Sequence, residues 1–207
     1  MRRPALRPAA LAGVGLVVAA AGCVFAATGG AGAEGDARGA SAGQARPAVR
    51  AAAAATVLDP GARPIAPALA GDDLDGKPVE PAEFRGQVVV LNVWGSWCGP
   101  CRAEADDLAR LSGRTRPEGV RFLGINTRDR DRTAAQAFVR AHGLGFPSLH
   151  DPDGELLLRF PPALLNPQTI PSTLVIDRRG RIAVSIGGAV TDEELGPLVA
   201  RVAEEGS

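Results

Sequence analysis

Two cysteines three residues apart, Cys98 and Cys101, lie in the run Trp94-Gly95-Ser96-Trp97-Cys98-Gly99-Pro100-Cys101, where an apolar, strand-like stretch gives way to a helix-like one. That spacing brings both sulfurs to one side of a first helical turn, near enough to close a small disulfide ring. Unpaired backbone N–H groups at a helix N-terminus favour thiolate over thiol, so Cys98, expected at an exposed helix end, is the candidate nucleophile. Cys101, deeper in the helix, is placed to attack a mixed disulfide and release the reduced partner. Pro100 suits a first turn, where its missing N–H would have no intrahelical acceptor. Other uses of paired cysteines fit less well. Structural zinc takes four ligands, and neither a second cysteine pair nor a properly spaced histidine pair accompanies this one. Covalent haem needs His after the second Cys, where this chain has Arg102. A thiol peroxidase would show a lone peroxidatic Cys in a Pro- and Thr-containing setting, and a binding module without turnover would not need both cysteines. The chemistry calls for no cofactor and no metal.

The elements that must position the pair follow from periodicity. Val88 to Trp94 is apolar apart from Asn92 and has the length of a central strand buried on both faces. A helix starts at Gly99, with Ala103, Leu108 and Leu111 on its apolar stripe, and is expected to end at Gly113. Val120 to Asn126 is the next strand, Thr133 to His142 the next helix, closed by Gly143, and Pro147 to His150 a short strand before the turn Asp151-Pro152-Asp153-Gly154. Glu155 to Phe160 is a helical turn or a short strand. Thr173 to Asp177 and Arg181 to Ile186 flank Arg178-Arg179-Gly180 as an antiparallel hairpin, and Thr191 with Glu194 forms the capping box of a last helix. Strands alternating with helices give an α/β fold. Trp94 belongs to the core, His142 ends a helix and His150 a strand. The alternating charges Arg128-Asp129-Arg130-Asp131-Arg132 describe a solvated helix start, with partner recognition left open because of their place at the active-site end of the sheet.

The Cys motif, together with Leu91-Asn92-Val93-Trp94 before it, Arg102-Ala103-Glu104 after it, Phe146-Pro147 and Ile170-Pro171-Ser172-Thr173, resembles the thioredoxin superfamily. Within it the likeness is to the extracytoplasmic TlpA-like or ResA-like thiol-disulfide reductases, over residues 65 to 205. The resemblance implies a thioredoxin-like fold, a central mixed sheet flanked by helices. It also implies a redox-active disulfide between Cys98 and Cys101, and a cis Ile170–Pro171 peptide packed against it. In such a site Ile170 would pair its backbone with the substrate chain, and Trp97 would cover one side of the disulfide, unless it is only a surface aromatic. Gly99, Pro100 and Pro171 would support the site. Glu104 would lie beneath the disulfide as a proton acceptor or donor, the third catalytic group beside Cys98 and Cys101. Two residues depart from the wider pattern. Asn92 replaces the Asp of cytoplasmic thioredoxins and cannot titrate. Asp106 replaces a proline that commonly kinks this helix, which leaves the placement of Glu104 to be decided. Gly99-Pro100, as in thioredoxins, in place of the His typical of strong oxidants, favours a reductase.

Composition sets the surroundings. The 207 residues carry 23 basic and 23 acidic side chains, too balanced for a nucleic-acid binder. Residues 1–50 hold six Arg against two acids, so the remainder, with 17 basic and 21 acidic groups, is mildly acidic. Residues 1–27, a basic start followed by an apolar run, form a signal peptide or membrane anchor. Residues 9 to 27, as a helix, would cover roughly 28 Å, enough for a bilayer core. Ala20-Ala21-Gly22-Cys23 resembles a lipoprotein box with Cys23 as the lipidated residue, so lipoprotein, uncleaved anchor and simple secretion all stay open. Each puts residues 65–207, the thioredoxin-like domain, outside the cytoplasmic membrane, joined by a flexible Ala/Gly/Pro-rich tether over 28–64 from which nothing is expected to reach the core. The partners expected there are oxidised exported proteins, apocytochrome c among the candidates, and a membrane electron carrier that re-reduces the cysteine pair.

Overall fold

Val88–Trp94 is buried along its whole length, and its alternation divides the protein into two layers. Val88, Val90 and Trp94 point to one face of the sheet, where they pack with the helices, while Val89, Leu91 and Val93 point to the other. The computed structural model describes residues 54–205, so the leader, most of the tether and Cys23 lie outside the described residues. In chain order the strands are β1 (Ala55–Val57), β2 (Gly71–Asp72), β3 (Pro78–Val79), β4 (Val88–Trp94), β5 (Val120–Thr127), β6 (Ser148–Asp151), β7 (Ser172–Ile176) and β8 (Ile182–Gly187). The helices are α1 (Gly99–Thr115), α2 (Arg132–His142) and α3 (Asp192–Glu204). The main sheet has the order β1-β8-β7-β4-β5-β6. Strands β4, β5 and β6 run parallel and β7, β8 and β1 pair antiparallel, the mixed sheet of a thioredoxin-like fold. β2 and β3 form a separate small ribbon. No helix among the described residues is long and apolar enough to cross a membrane.

The structure corrects several sequence boundaries. The domain begins about ten residues before 65: Ala55, Thr56 and Val57, assigned to the tether, pair with Ile186, Ser185 and Val184 at the sheet edge. Arg63, also assigned to the tether, is buried and bonds Asp177 and Glu205. The α1 helix continues past Gly113 because Leu111 and Thr115 still face the core, and the Thr115 hydroxyl donates to the Leu111 carbonyl at 2.9 Å. It also runs unbroken through Asp106, whose carboxylate stands 2.8 Å from His142 Nδ1 on α2. Residues 157–159 form a 3-10 turn. The hairpin and the Thr191–Glu194 capping box are as expected.

Candidate active site

Cys98 is the N-cap residue of α1: its Sγ accepts a hydrogen bond from the Cys101 N–H at 3.1 Å, which puts the sulfur at the positive end of the helix. Gly99 opens the helix and Pro100 follows in the first turn. Cys98 and Cys101 are joined by a disulfide, with Cα atoms 5.3 Å apart. Cys98 is not the exposed residue the sequence suggested: it is 3% exposed and Cys101 1%. Gly99 and Pro100, between the two cysteines, are exposed.

The wall opposite the helix is the segment before β7. The Ile170–Pro171 peptide is cis, and the Ile170 carbonyl oxygen lies 3.7 Å from Cys98 Sγ. Ile170 is half-buried between the two core layers and Pro171 is buried. Trp97, next to Cys98 in the chain, is 52% exposed. Its indole N–H donates to the Thr127 carbonyl at 3.3 Å, and its ring folds over Gly95, where an added Cβ would lie 2.5 Å from Nε1. Only glycine leaves room for the ring there.

Three residues after Cys101, Glu104 is fully buried on the inner stripe of α1, not a solvated helix residue. Its Oε1 accepts from Asn92 Nδ2 at 2.9 Å and its Oε2 from the Val190 N–H at 3.0 Å. Asn92, the non-titrating replacement, thus acts as a donor that fixes the carboxylate, and it also reaches Thr173 Oγ1 at 3.2 Å. Trp94 is core, stacked on Phe138 at 4.7 Å and donating to Ser148 Oγ. Gly124 is glycine because a Cβ there would collide with that same Ser148 hydroxyl.

Sequence reasoning missed Asp129. Its charge-alternating neighbours marked it as solvated, yet it is buried and its carboxylate accepts from the Ser96 N–H at 2.7 Å, the Ser96 hydroxyl at 2.6 Å and Asn126 Nδ2 at 2.7 Å. Asp131 is the solvated N-cap of α2, bonding the Thr133 N–H, and Arg128 and Arg130 are exposed. One signal was available: an Asp two residues beyond a buried strand end, next to the strand that carries the motif.

Comparison with known proteins agrees with this geometry. Residues 63–185 match the AhpC/TSA family. The chain is 32% identical over 130 residues to the thiol-disulfide oxidoreductase ResA of Bacillus thuringiensis subsp. konkukian, covering 63% of this chain and 72% of that protein. A secreted thiol-disulfide isomerase from Corynebacterium glutamicum superposes with a TM-score of 0.65 at 32% identity, over 72% of this chain and 92% of that one. A secreted Mycobacterium tuberculosis disulfide oxidoreductase, described as homologous to E. coli DsbE, gives 0.55 at 29% identity, over 66% of this chain and 95% of the other.

Proposed function

The chain belongs to the AhpC/TSA family of the thioredoxin superfamily and is a thiol-disulfide oxidoreductase, and from that premise we propose that it reduces disulfides of exported proteins outside the cytoplasmic membrane. The observation that carries the reading is the placement of Cys98 Sγ: at the α1 N-cap, with the Ile170 backbone beside it as an edge for a substrate chain. In the reduced enzyme the Cys98 thiolate attacks one sulfur of a substrate disulfide. That S–S bond breaks, a mixed disulfide forms, and the other substrate sulfur leaves as a thiolate that takes a proton. Cys101 then gives up its proton and attacks Cys98 Sγ, closing the ring found here and releasing the second substrate thiol. The substrate gains two electrons and two protons: the enzyme supplies both electrons and the Cys101 proton, and solvent supplies the other proton, the one Cys98 released in becoming a thiolate.

Glu104, one helical turn beyond Cys101 and held by Asn92 and Val190, is proposed as the group that takes the Cys101 proton. Trp97, Ile170 and Pro171 are proposed to line the substrate groove, with Gly99 and Pro100 at its floor. The secreted relatives support a location outside the cytoplasmic membrane. Residues 1–27 would hold the domain there, through lipidated Cys23 or an uncleaved helix, where a membrane electron carrier re-reduces the pair and apocytochrome c is one substrate. Two measurements test the direction: the reduction potential of the pair and insulin reduction by the full chain. A potential near that of thioredoxin with fast insulin turnover supports a reductase. A strongly oxidising potential defeats it. The isomerase name of the Corynebacterium relative favours a second reading, reshuffling of substrate disulfides, which recovery of scrambled ribonuclease without net reductant would reveal.

A further inference from the structure

The loop Thr127–Asp129, at the C-terminal end of β5, touches both walls of the disulfide site. The Thr127 carbonyl takes the Trp97 indole N–H, and the Arg128 guanidinium donates to the Pro167 carbonyl at 2.9 Å on the segment that leads to Ile170. The Asp129 carboxylate holds Ser96 through both its N–H and its hydroxyl. Arg128 does this in the left-handed region at φ 60°, uncommon for a residue with a side chain. The loop is itself braced from below. Arg132 Nε donates to His150 Nδ1 at 3.1 Å, which leaves the His150 proton on Nε2, where it donates to the Asp129 carbonyl at 2.8 Å. Arg102 adds a hydrogen bond from above, to the Ser96 carbonyl at 2.9 Å.

We propose that Asp129 is a positioning residue for the disulfide chemistry, acting through Ser96 to keep Cys98 Sγ at the N-terminus of α1 when the enzyme is reduced. In the oxidised enzyme the covalent ring fixes Cys98 whatever the preceding loop does. Reduction removes that constraint, and the chain entering Cys98 is then held by the noncovalent anchors of Ser96 and Trp97. A buried carboxylate with three short hydrogen bonds is the strongest of these. Only the reduced enzyme carries a thiolate that gains from the α1 N-terminus, so by keeping Cys98 Sγ there Asp129 stabilises the reduced form more than the oxidised one, whereas a residue that only supports the fold would stabilise both alike.

This inference rests on the thiol-disulfide reading. Its test on the full chain follows Cys98 alkylation against pH, and the equilibrium with a glutathione buffer, in wild type, Ser96→Ala and Asp129→Asn. The charged groups around the loop, Arg102, Arg128, Arg132, His150 and Asp151, and Glu104 on α1, are unchanged in both variants. Ser96→Ala removes one charge-assisted hydrogen bond and leaves the Asp129 charge in place. It should move the alkylation profile to higher pH and shift the glutathione equilibrium about three- to ten-fold toward the disulfide, less than the full worth of a hydrogen bond to a charged group because the bond is made with the disulfide closed as well. Asp129→Asn should move both in the same direction and further. If Ser96→Ala leaves both readouts at wild-type values, positioning is overturned. If Asp129→Asn moves the profile to lower pH, Asp129 acts as a bare negative charge, and positioning is overturned as well. Should Asp129→Asn fail to fold, Ser96→Ala decides alone. A wild type whose pair does not exchange with glutathione at all would sink the thiol-disulfide reading instead, a result visible before any variant is compared.

Discussion

At the scale of single residues, Cys98 and Cys101 differ less in exposure than in partners. Both are covered, but only Cys98 Sγ receives a helix N-terminal N–H and faces the Ile170 carbonyl. Cys98→Ser should therefore abolish exchange, while Cys101→Ser leaves the first attack intact and accumulates mixed disulfides, visible on non-reducing gels. Trapping by Cys98→Ser and none by Cys101→Ser would reverse the roles. Glu104→Gln is a sharper probe than the sequence implied. Glutamine keeps the shape, but its amide has one acceptor for the two donors that the carboxylate satisfies, Asn92 Nδ2 and the Val190 N–H. The variant should lose about 1–3 kcal/mol of stability by leaving a buried donor unpaired. It should also alkylate Cys98 at lower pH, since a negative charge near the forming thiolate is gone, and release reduced substrate more slowly. Lost stability with an unmoved alkylation profile would leave Glu104 a structural residue only.

At the scale of elements, what periodicity and the Cys motif express was legible in advance: β4, the start of α1, the hairpin and the helix cap. What depends on a partner far away in sequence was not. The Ala-Thr-Val of β1 is three exposed residues in an Ala- and Pro-rich stretch, and only the free edge of β8 makes it a strand. Gly113 stops no helix because Thr115 beyond it is buried. Asp129 has the look of one member of a solvated charge run; its place just past a buried strand end is a hint, but its partner Ser96 follows the neighbouring strand, and only the sheet order brings the two together. The pairing of β1 with β8 sets how far the chain can be truncated. Deleting residues 1–50 should leave stability and exchange as they are. Deleting 1–60 removes β1 and the Leu58 N–H to Ala183 bond, and bares the edge of β8. A lower thermal midpoint and concentration-dependent self-association are expected for that shorter form by calorimetry and light scattering. Identical behaviour of the two truncations would mean that β1 does not hold the sheet edge.

At the scale of the molecule, one buried cation ties the start of the domain to its end. Arg63 bonds Asp177 at the hairpin turn at 3.2 Å and Glu205, just past α3, at 2.6 Å. Burial pushes the Asp177 carboxyl up, but the Arg181 N–H, the Arg63 guanidinium and the Arg179 N–H outweigh it, so Asp177 ends below its ordinary value of 3.8. Glu205 is held below its ordinary 4.5 chiefly by Arg63, and Asp192 below 3.8 by Arg114. A carboxyl whose folded pKa is depressed contributes stability that is fully present above its unfolded pKa and lost as pH falls through the folded one. Asp151 works the other way: burial raises it, so its cost at neutral pH is relieved as it protonates. Asp131 is also held below 3.8, by the hydrogen bond it accepts from the Thr133 N–H; these four depressed carboxyls dominate the acid limb, and wild-type stability should hold down to about pH 4.5 and then fall steeply below it. Arg63→Met keeps much of the side chain's length and apolar contact but leaves Asp177 with Arg181 as its remaining cation, which should cost about 3 kcal/mol at neutral pH, the low end for a broken buried pair. Without Arg63, Asp177 and Glu205 titrate nearer their unfolded values, so the variant loses less of its stability below pH 4.5 than wild type does, and the two urea midpoint curves converge toward acid. Parallel curves across that range would show that Arg63 holds the ends of the domain by packing rather than by charge.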